Sequence, residues 1–155
     1  MKKLFLICCF WMVTMLNGYA QLKVYSFEEV AQLSQVNPKP IVVFVHTSWC
    51  KFCKMMEQTT FKNKKVIEEL NQRFYFVSLD AETRNAIWFN DHLFQFKPTG
   101  TTTGVHELAT ALATINGIVS YPTLSILDTE LSIVFQKNAY LDAKTVLLVL
   151  AQFNH

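Results

Sequence analysis

The pattern of apolar and polar positions divides the chain into a leader and a domain. An apolar run, Leu4 to Leu16, follows two lysines and is interrupted only by Thr14. Beyond residue 20 the apolar positions become periodic. Ser26-Phe27-Glu28-Glu29 has the form of a capping box and predicts a helix to about Val36, stopped by Asn37-Pro38-Lys39-Pro40. Ile41 to His46 (IVVFVH) is a nearly unbroken β-rich run, expected to be a strand buried on both faces. From Cys50 the spacing turns helical, through Phe52, Met55, Met56 and Thr59, to about Thr60. A second helical piece covers 64–72, and Arg73 to Leu79 reads as the next strand.

The second half is less regular. Thr83 to Phe96 is rich in aromatics and is expected to be partly helical, with Trp88, Phe89, Phe94 and Phe96 packing this region. Pro98 to Gly104 is a loop by composition. Val105 to Thr114 predicts a helix ended by Asn116-Gly117. Leu124 to Leu127 and Leu131 to Gln136 predict a hairpin, and Asp142 caps a last helix over 143–153. A strand–helix–strand opening and a hairpin ending imply an α/β fold, a mixed sheet covered by helices.

The leader has the layout of a cleaved secretory signal peptide, residues 1–20. Lys2 and Lys3 open it, and small residues stand at −3 and −1 of a cut after Ala20. Its apolar run of 13 residues is short of the roughly 20 that span a bilayer. The mature domain is then 21–155, exported to the periplasm or cell envelope, with secretion as the other destination. Loss of Lys2 and Lys3 turns 14 basic and 12 acidic residues into 12 and 12. The domain is near neutral and has no basic stripe for nucleic acid or an anionic membrane.

Cleavage also removes Cys8 and Cys9, which leaves Cys50 and Cys53 in the stretch TSWCKFCK. A bridge between them closes a very short loop and constrains little of the unfolded chain. A zinc site would need two of His46, His92, His106 and His155, none of which pair at zinc-finger spacing. The third reading is a redox couple. Cys50 falls where a strand gives way to a helix, and free amides, the peptide dipoles, Lys51 and Lys54 all favour a thiolate there. Cys53 lies one turn on, where it could displace a mixed disulfide.

Pro122, directly before a strand, has two readings. One is simple punctuation. The other is a cis Tyr121–Pro122 peptide placed against the cysteines, which would offer the Tyr121 backbone to an extended substrate.

With SWCKFCK after IVVFVH, and YPT before LSILD, the chain resembles the thioredoxin superfamily over roughly residues 22–153, with 81–117 as an enlargement before the proline strand. The run CKFCKMMEQTTFKNKKV is also similar to thioredoxin-like domains of the DsbD C-terminal type, which show C-x-x-C-K-x-x-E-x-x-T-F. The resemblance implies a thiol–disulfide oxidoreductase with Cys50 as nucleophile, Cys53 as resolving thiol and Pro122 as the cis-proline. It implies reduction of, or electron relay to, disulfides of envelope proteins. No cofactor is expected beyond the Cys50–Cys53 disulfide, and no metal. The expected partners are client proteins with disulfides and an upstream thiol donor, which a membrane protein could supply. A monomer is expected.

Thioredoxins carry a buried aspartate six residues before the first cysteine; here Phe44 stands there. Glu57 is the candidate replacement, matching the glutamate of the DsbD-type domains, and His46 is a second. Trp49, Lys51, Phe52 and Tyr121 are the candidate docking residues. Lys51-Phe52 matches neither the Gly-Pro of thioredoxin nor the Pro-His of DsbA, so the pair leaves open a disulfide oxidase or isomerase. A metal-binding or chaperone-like module without catalysis is the alternative outside that class.

Overall fold

The computed structural model describes residues 21–153. The signal-peptide reading falls on residues 1–20 and lies outside them. Four strands form the central sheet: β1 (Ile41–His46), β2 (Tyr75–Asp80), β9 (Thr123–Leu127) and β10 (Ile133–Asn138). Their order is β10-β9-β1-β2. Strand β1 is parallel to β2 and antiparallel to β9, so the sheet is mixed, as its sequence pattern predicts. Parallel neighbours need a long crossover. It consists of α2 (Lys51–Gln58), a 3-10 turn (Thr60–Lys62) and α3 (Lys64–Arg73).

The alternation of β1 explains why its run is apolar throughout. Val42 and Phe44 face one core with Cys50, Cys53, Met56, Phe61 and Leu70. This core is closed by Val146, Val149 and Leu150 of α5 (Ala143–Leu150). Ile41, Val43 and Val45 face the second core, with Phe27 and Val30 of α1 (Phe27–Ser34) and Leu108, Ala109 and Leu112 of α4 (Glu107–Ala113). Each apolar side chain so buried contributes about 1.5–3 kcal/mol. Ser26 caps α1 as expected: its hydroxyl accepts from Glu29 N, and the Glu29 carboxylate accepts from Ser26 N at 2.7 Å.

The enlargement differs from expectation in kind. Thr83 to Phe96 contains no helix. It holds a hairpin of β3 (Ile87–Phe89) and β4 (His92–Phe94), turned by Asn90 and Asp91 at φ 50° and 55°. Two positive φ values in a two-residue loop match the right-handed twist of the strands, and Asn and Asp tolerate them. The aromatics therefore alternate across a ribbon. Phe89 packs on Phe27, with ring centroids 4.8 Å apart, whereas Trp88 is 54% exposed and does not pack the insert.

Pro98 and Gly104, expected in one loop, end and begin a second ribbon, β5 (Phe96–Pro98) with β6 (Gly104–His106). Val105 is a strand residue, and α4 begins only after His106, whose Nδ1 accepts from Leu108 N at 3.2 Å. Asn116-Gly117 does not end the helix. Both residues have positive φ and turn a third ribbon, β7 (Thr114–Ile115) with β8 (Ile118–Val119). Other bounds shift by a few residues. Strand β2 starts at Tyr75 because Arg73 still belongs to α3. Strand β10 starts at Ile133 because Leu131, at φ 64°, belongs to the turn. Helices α1, α2 and α5 end at Ser34, Gln58 and Leu150, the last followed by a 3-10 turn, Ala151–Phe153.

Candidate redox site

The site lies beyond the C-terminal end of β1, where an apolar strand meets a helix start. Cys50 is the N-cap of α2, extended at φ −74° and ψ 108°. Its Sγ accepts from the Cys53 backbone N–H at 3.1 Å. Negative charge on that sulfur would be stabilised by this amide and by the helix N-terminus. The two sulfurs form a disulfide, with Cα atoms 5.2 Å apart. Cys50 retains 6% exposure and Cys53 1%. Both residues are buried, Cys53 the more completely.

The Tyr121–Pro122 peptide is cis. The antiparallel register pairs Val45 with Thr123, which sets Tyr121 and Pro122 beside the end of β1. Tyr121 reaches Trp49 edge-on, with ring centroids 6.2 Å apart. Its phenol titrates above the ordinary tyrosine range, first through burial and then through the carboxylates of Glu82 and Asp80. The hydroxyls of Tyr121 and Thr47 are buried, with no hydrogen-bond partner among the described residues.

Around the sulfurs is an apolar rim. Trp49 is 64% exposed and Phe52 58%, with Met55 also exposed. Lys51 is exposed between them. Sequence reasoning missed two members of this rim. Tyr140 lies beside Phe52, centroids 6.4 Å apart, and nothing in its local sequence marks it. Glu82 accepts a hydrogen bond from Trp49 Nε1 at 3.1 Å. That contact had a signal: Glu82 follows β2, and the ends of parallel neighbours β1 and β2 converge.

Phe44 occupies the position of the missing aspartate and packs in the same core as both cysteines. The two replacement candidates come together. Glu57 Oε1 lies 3.9 Å from His46 Nδ1. His46 Nε2 is 3.0 Å from Ser78 Oγ, and its ring stacks on Phe44. His92 and His106 belong elsewhere. His92 meets Phe94 in the β3–β4 hairpin, and His106 is fully buried at the start of α4. Among the described residues no group of three or more His, Cys, Asp or Glu side chains is placed to hold a metal ion.

A family model for a thioredoxin-like domain matches residues 27–154. The chain belongs to the thioredoxin-like family. Solved structures of similar fold include the DsbH oxidoreductase, at TM-score 0.62 and 19% identity, with 90% of each chain covered. A thioredoxin from Thermus thermophilus superposes at TM-score 0.60 and 21% identity, over 85% of this chain and 86% of that one. The oxidised DsbD C-terminal domain of Neisseria meningitidis gives TM-score 0.55 at 16% identity, over 85% of this chain and 100% of that domain. At these identities the likeness concerns the fold. In sequence, 60 residues are 32% identical to the thiol:disulfide interchange protein DsbD of Campylobacter jejuni, which is 39% of this chain and 10% of that protein. The thioredoxin-like chain thus matches about a tenth of that relative's length.

Proposed function

We propose that this chain is an exported thiol–disulfide oxidoreductase that reduces, or relays electrons to, disulfides of envelope proteins. The observation that carries the reading is the asymmetry of the cysteine pair. Cys50 Sγ stands at the start of α2 with an amide directed at it, and Cys53 is the more completely buried of the two. A thiol at a helix N-terminus ionises more readily than a free one. Cys50 is the attacking thiolate, and Cys53 resolves the mixed disulfide and releases the client reduced. An upstream thiol donor restores the dithiol, and no other cofactor takes part.

In this reading Trp49, Phe52 and Lys51 form the docking rim, since exposed aromatics at a reactive site favour a partner. Tyr121 and Pro122 present backbone to an extended client segment. Glu57 takes the proton of Cys53. Export rests on the leader at residues 1–20. The reducing direction rests on the motif C-x-x-C-K-x-x-E-x-x-T-F from Cys50 to Phe61, which is similar to that of DsbD-type domains.

The test is insulin reduction by the purified domain together with equilibration against glutathione buffers. Cys50→Ser is expected to abolish reduction, and Cys53→Ser to accumulate mixed disulfides that mass spectrometry identifies. An active Cys50→Ser variant removes the nucleophile assignment. A potential near about −120 mV, that of a strong oxidant, reverses the direction.

A further inference from the structure

The proposed reaction hands the Cys53 proton to Glu57, and the surroundings of that carboxylate bear on how it is received. Cys53 is 1% exposed, so its thiol cannot deliver a proton straight to bulk water. Phe44 beside it cannot accept one. Glu57 follows Cys53 by four residues within α2, and side chains so spaced are neighbours on one helix face. The Glu57 side chain is 44% exposed and so reaches solvent.

His46 stands behind that carboxylate. Its ring is held flat on Phe44, with centroids 5.2 Å apart and planes at 19°. Ser78 Oγ meets Nε2, which leaves Nδ1 toward Glu57. A histidine serving only to end a strand would be satisfied by the Ser78 contact. Among the described residues, the charged groups nearest it by contact or register are Glu57 from α2 and Asp80, two residues beyond Ser78 on β2 and paired with His46. Lys54 precedes Glu57 by one turn on α2.

We propose that His46 is a positioning residue of the redox centre: it orients Glu57 and shares its proton, so that the carboxylate is available to the Cys53 thiol. This rests on the oxidoreductase reading above. The Cys50 thiolate attacks a client disulfide, forming one sulfur–sulfur bond and breaking another, and the first client sulfur takes a proton from water. Glu57 accepts the Cys53 proton. The Cys53 thiolate then attacks Cys50 Sγ, which forms the Cys50–Cys53 bond and frees the second client sulfur. Two electrons have passed from the pair to the client. The proton held by Glu57 and His46 leaves through water to that second sulfur.

The experiment is single-turnover mixing of the reduced domain with a disulfide-bonded peptide, acid-quenched between about pH 5 and pH 8, where imidazole protonation changes. Mass spectrometry counts the mixed disulfide and its resolution separately. His46→Asn is expected to slow resolution about tenfold and flatten its pH dependence, below the full range of direct acid–base catalysis because His46 acts through Glu57. Glu57→Gln should do the same, and the double variant should be no slower than the slower single. Ser78→Ala, at an exposed strand position that does not endanger folding, should slow resolution about threefold by releasing Nε2. Wild-type resolution and pH profile in His46→Asn or in Ser78→Ala overturn the role of His46, as do singles whose effects multiply in the double. If the wild type forms no mixed disulfide, the oxidoreductase reading fails and this proposal fails with it.

Discussion

The two faces of the sheet are built by different means. The face with the sulfurs is closed by α2, α3 and α5, whose side chains form one apolar cluster around Phe44, Phe61 and Leu70. The opposite face is closed by α1, α4 and three short ribbons, and much of its definition is polar. Ser125 Oγ and Gln136 Nε2 both donate to the Leu112 carbonyl, at 2.6 and 2.8 Å, and Asn138 Nδ2 donates to that of Ala113. These bonds satisfy carbonyls that the end of α4 leaves open. Apolar packing holds the Cys50–Cys53 disulfide in place on one side. On the other, specific side-chain bonds tie an enlarged region to the same strands. Damage to the first face should therefore alter stability and chemistry together, and damage to the second should alter stability alone.

The largest effects test that separation directly. Phe44→Ala is expected to cost about 3–5 kcal/mol, and Leu108→Ala, in α4, about 2–5 kcal/mol. Urea midpoints report both. The informative quantity is insulin reduction per folded molecule. Leu108→Ala should keep it, whereas Phe44→Ala should lower it, because Phe44 packs with both cysteines and supports the His46 ring. Equal loss in both variants would show that the two faces are one cooperative support for the site.

Legibility in the sequence follows the same division. Strand β1, the caps at Ser26 and Asp142, the helix after Cys50 and the β9–β10 hairpin are set by local periodicity and capping chemistry, and all appear near their expected places. The ribbons are two or three residues per strand, too short for a period to register. Asn116-Gly117 has two meanings, a helix stop and a hairpin turn, and only pairing of Thr114 with Val119 decides between them. At the site, the Cys50–Cys53 disulfide and the cis peptide before Pro122 each stand at a local transition that the sequence marks. The approach of Glu57 to His46, and of Tyr140 to Phe52, depends on how helix and sheet stack, which no single stretch encodes.

Smaller effects come from the ribbons. A Cβ on Gly104 would collide with the Phe96 ring and would lie 2.5 Å from the Lys97 backbone carbonyl. Gly104→Ala is expected to cost about 1–3 kcal/mol by overpacking, read as a lower thermal midpoint at unchanged activity per folded molecule. His106 adds a pH signature to the same region. Burial lowers its titration, opposed by the Asn85 carbonyl and Glu107. The unfolded chain thus binds this proton more readily than the folded one. Stability should decline as pH drops below about 6.5, the ordinary histidine value. His106→Asn keeps a capping acceptor and cannot titrate, so its urea midpoint should vary less between pH 7 and pH 5. A wild-type slope retained in that variant would assign the dependence to other groups.

The smallest effect falls where the two regions touch. Glu82 opens the enlarged region and accepts from Trp49, an exposed ring of the proposed docking rim. An exposed hydrogen bond lies at the low end of about 0.5–1.5 kcal/mol, so Glu82→Ala should scarcely move the thermal midpoint. It should free the Trp49 ring, which has an edge contact with Tyr121 on its other side. A looser rim weakens the encounter and leaves the sulfurs untouched. KM for a protein disulfide should rise about two- to threefold at constant kcat, with no change toward a small-molecule disulfide that never meets the rim. Glu82→Gln retains an acceptor for the indole and should restore most of the affinity. A fall in kcat, or an equal effect on the small disulfide, would place Glu82 in the chemistry and erase the division between the faces at this point.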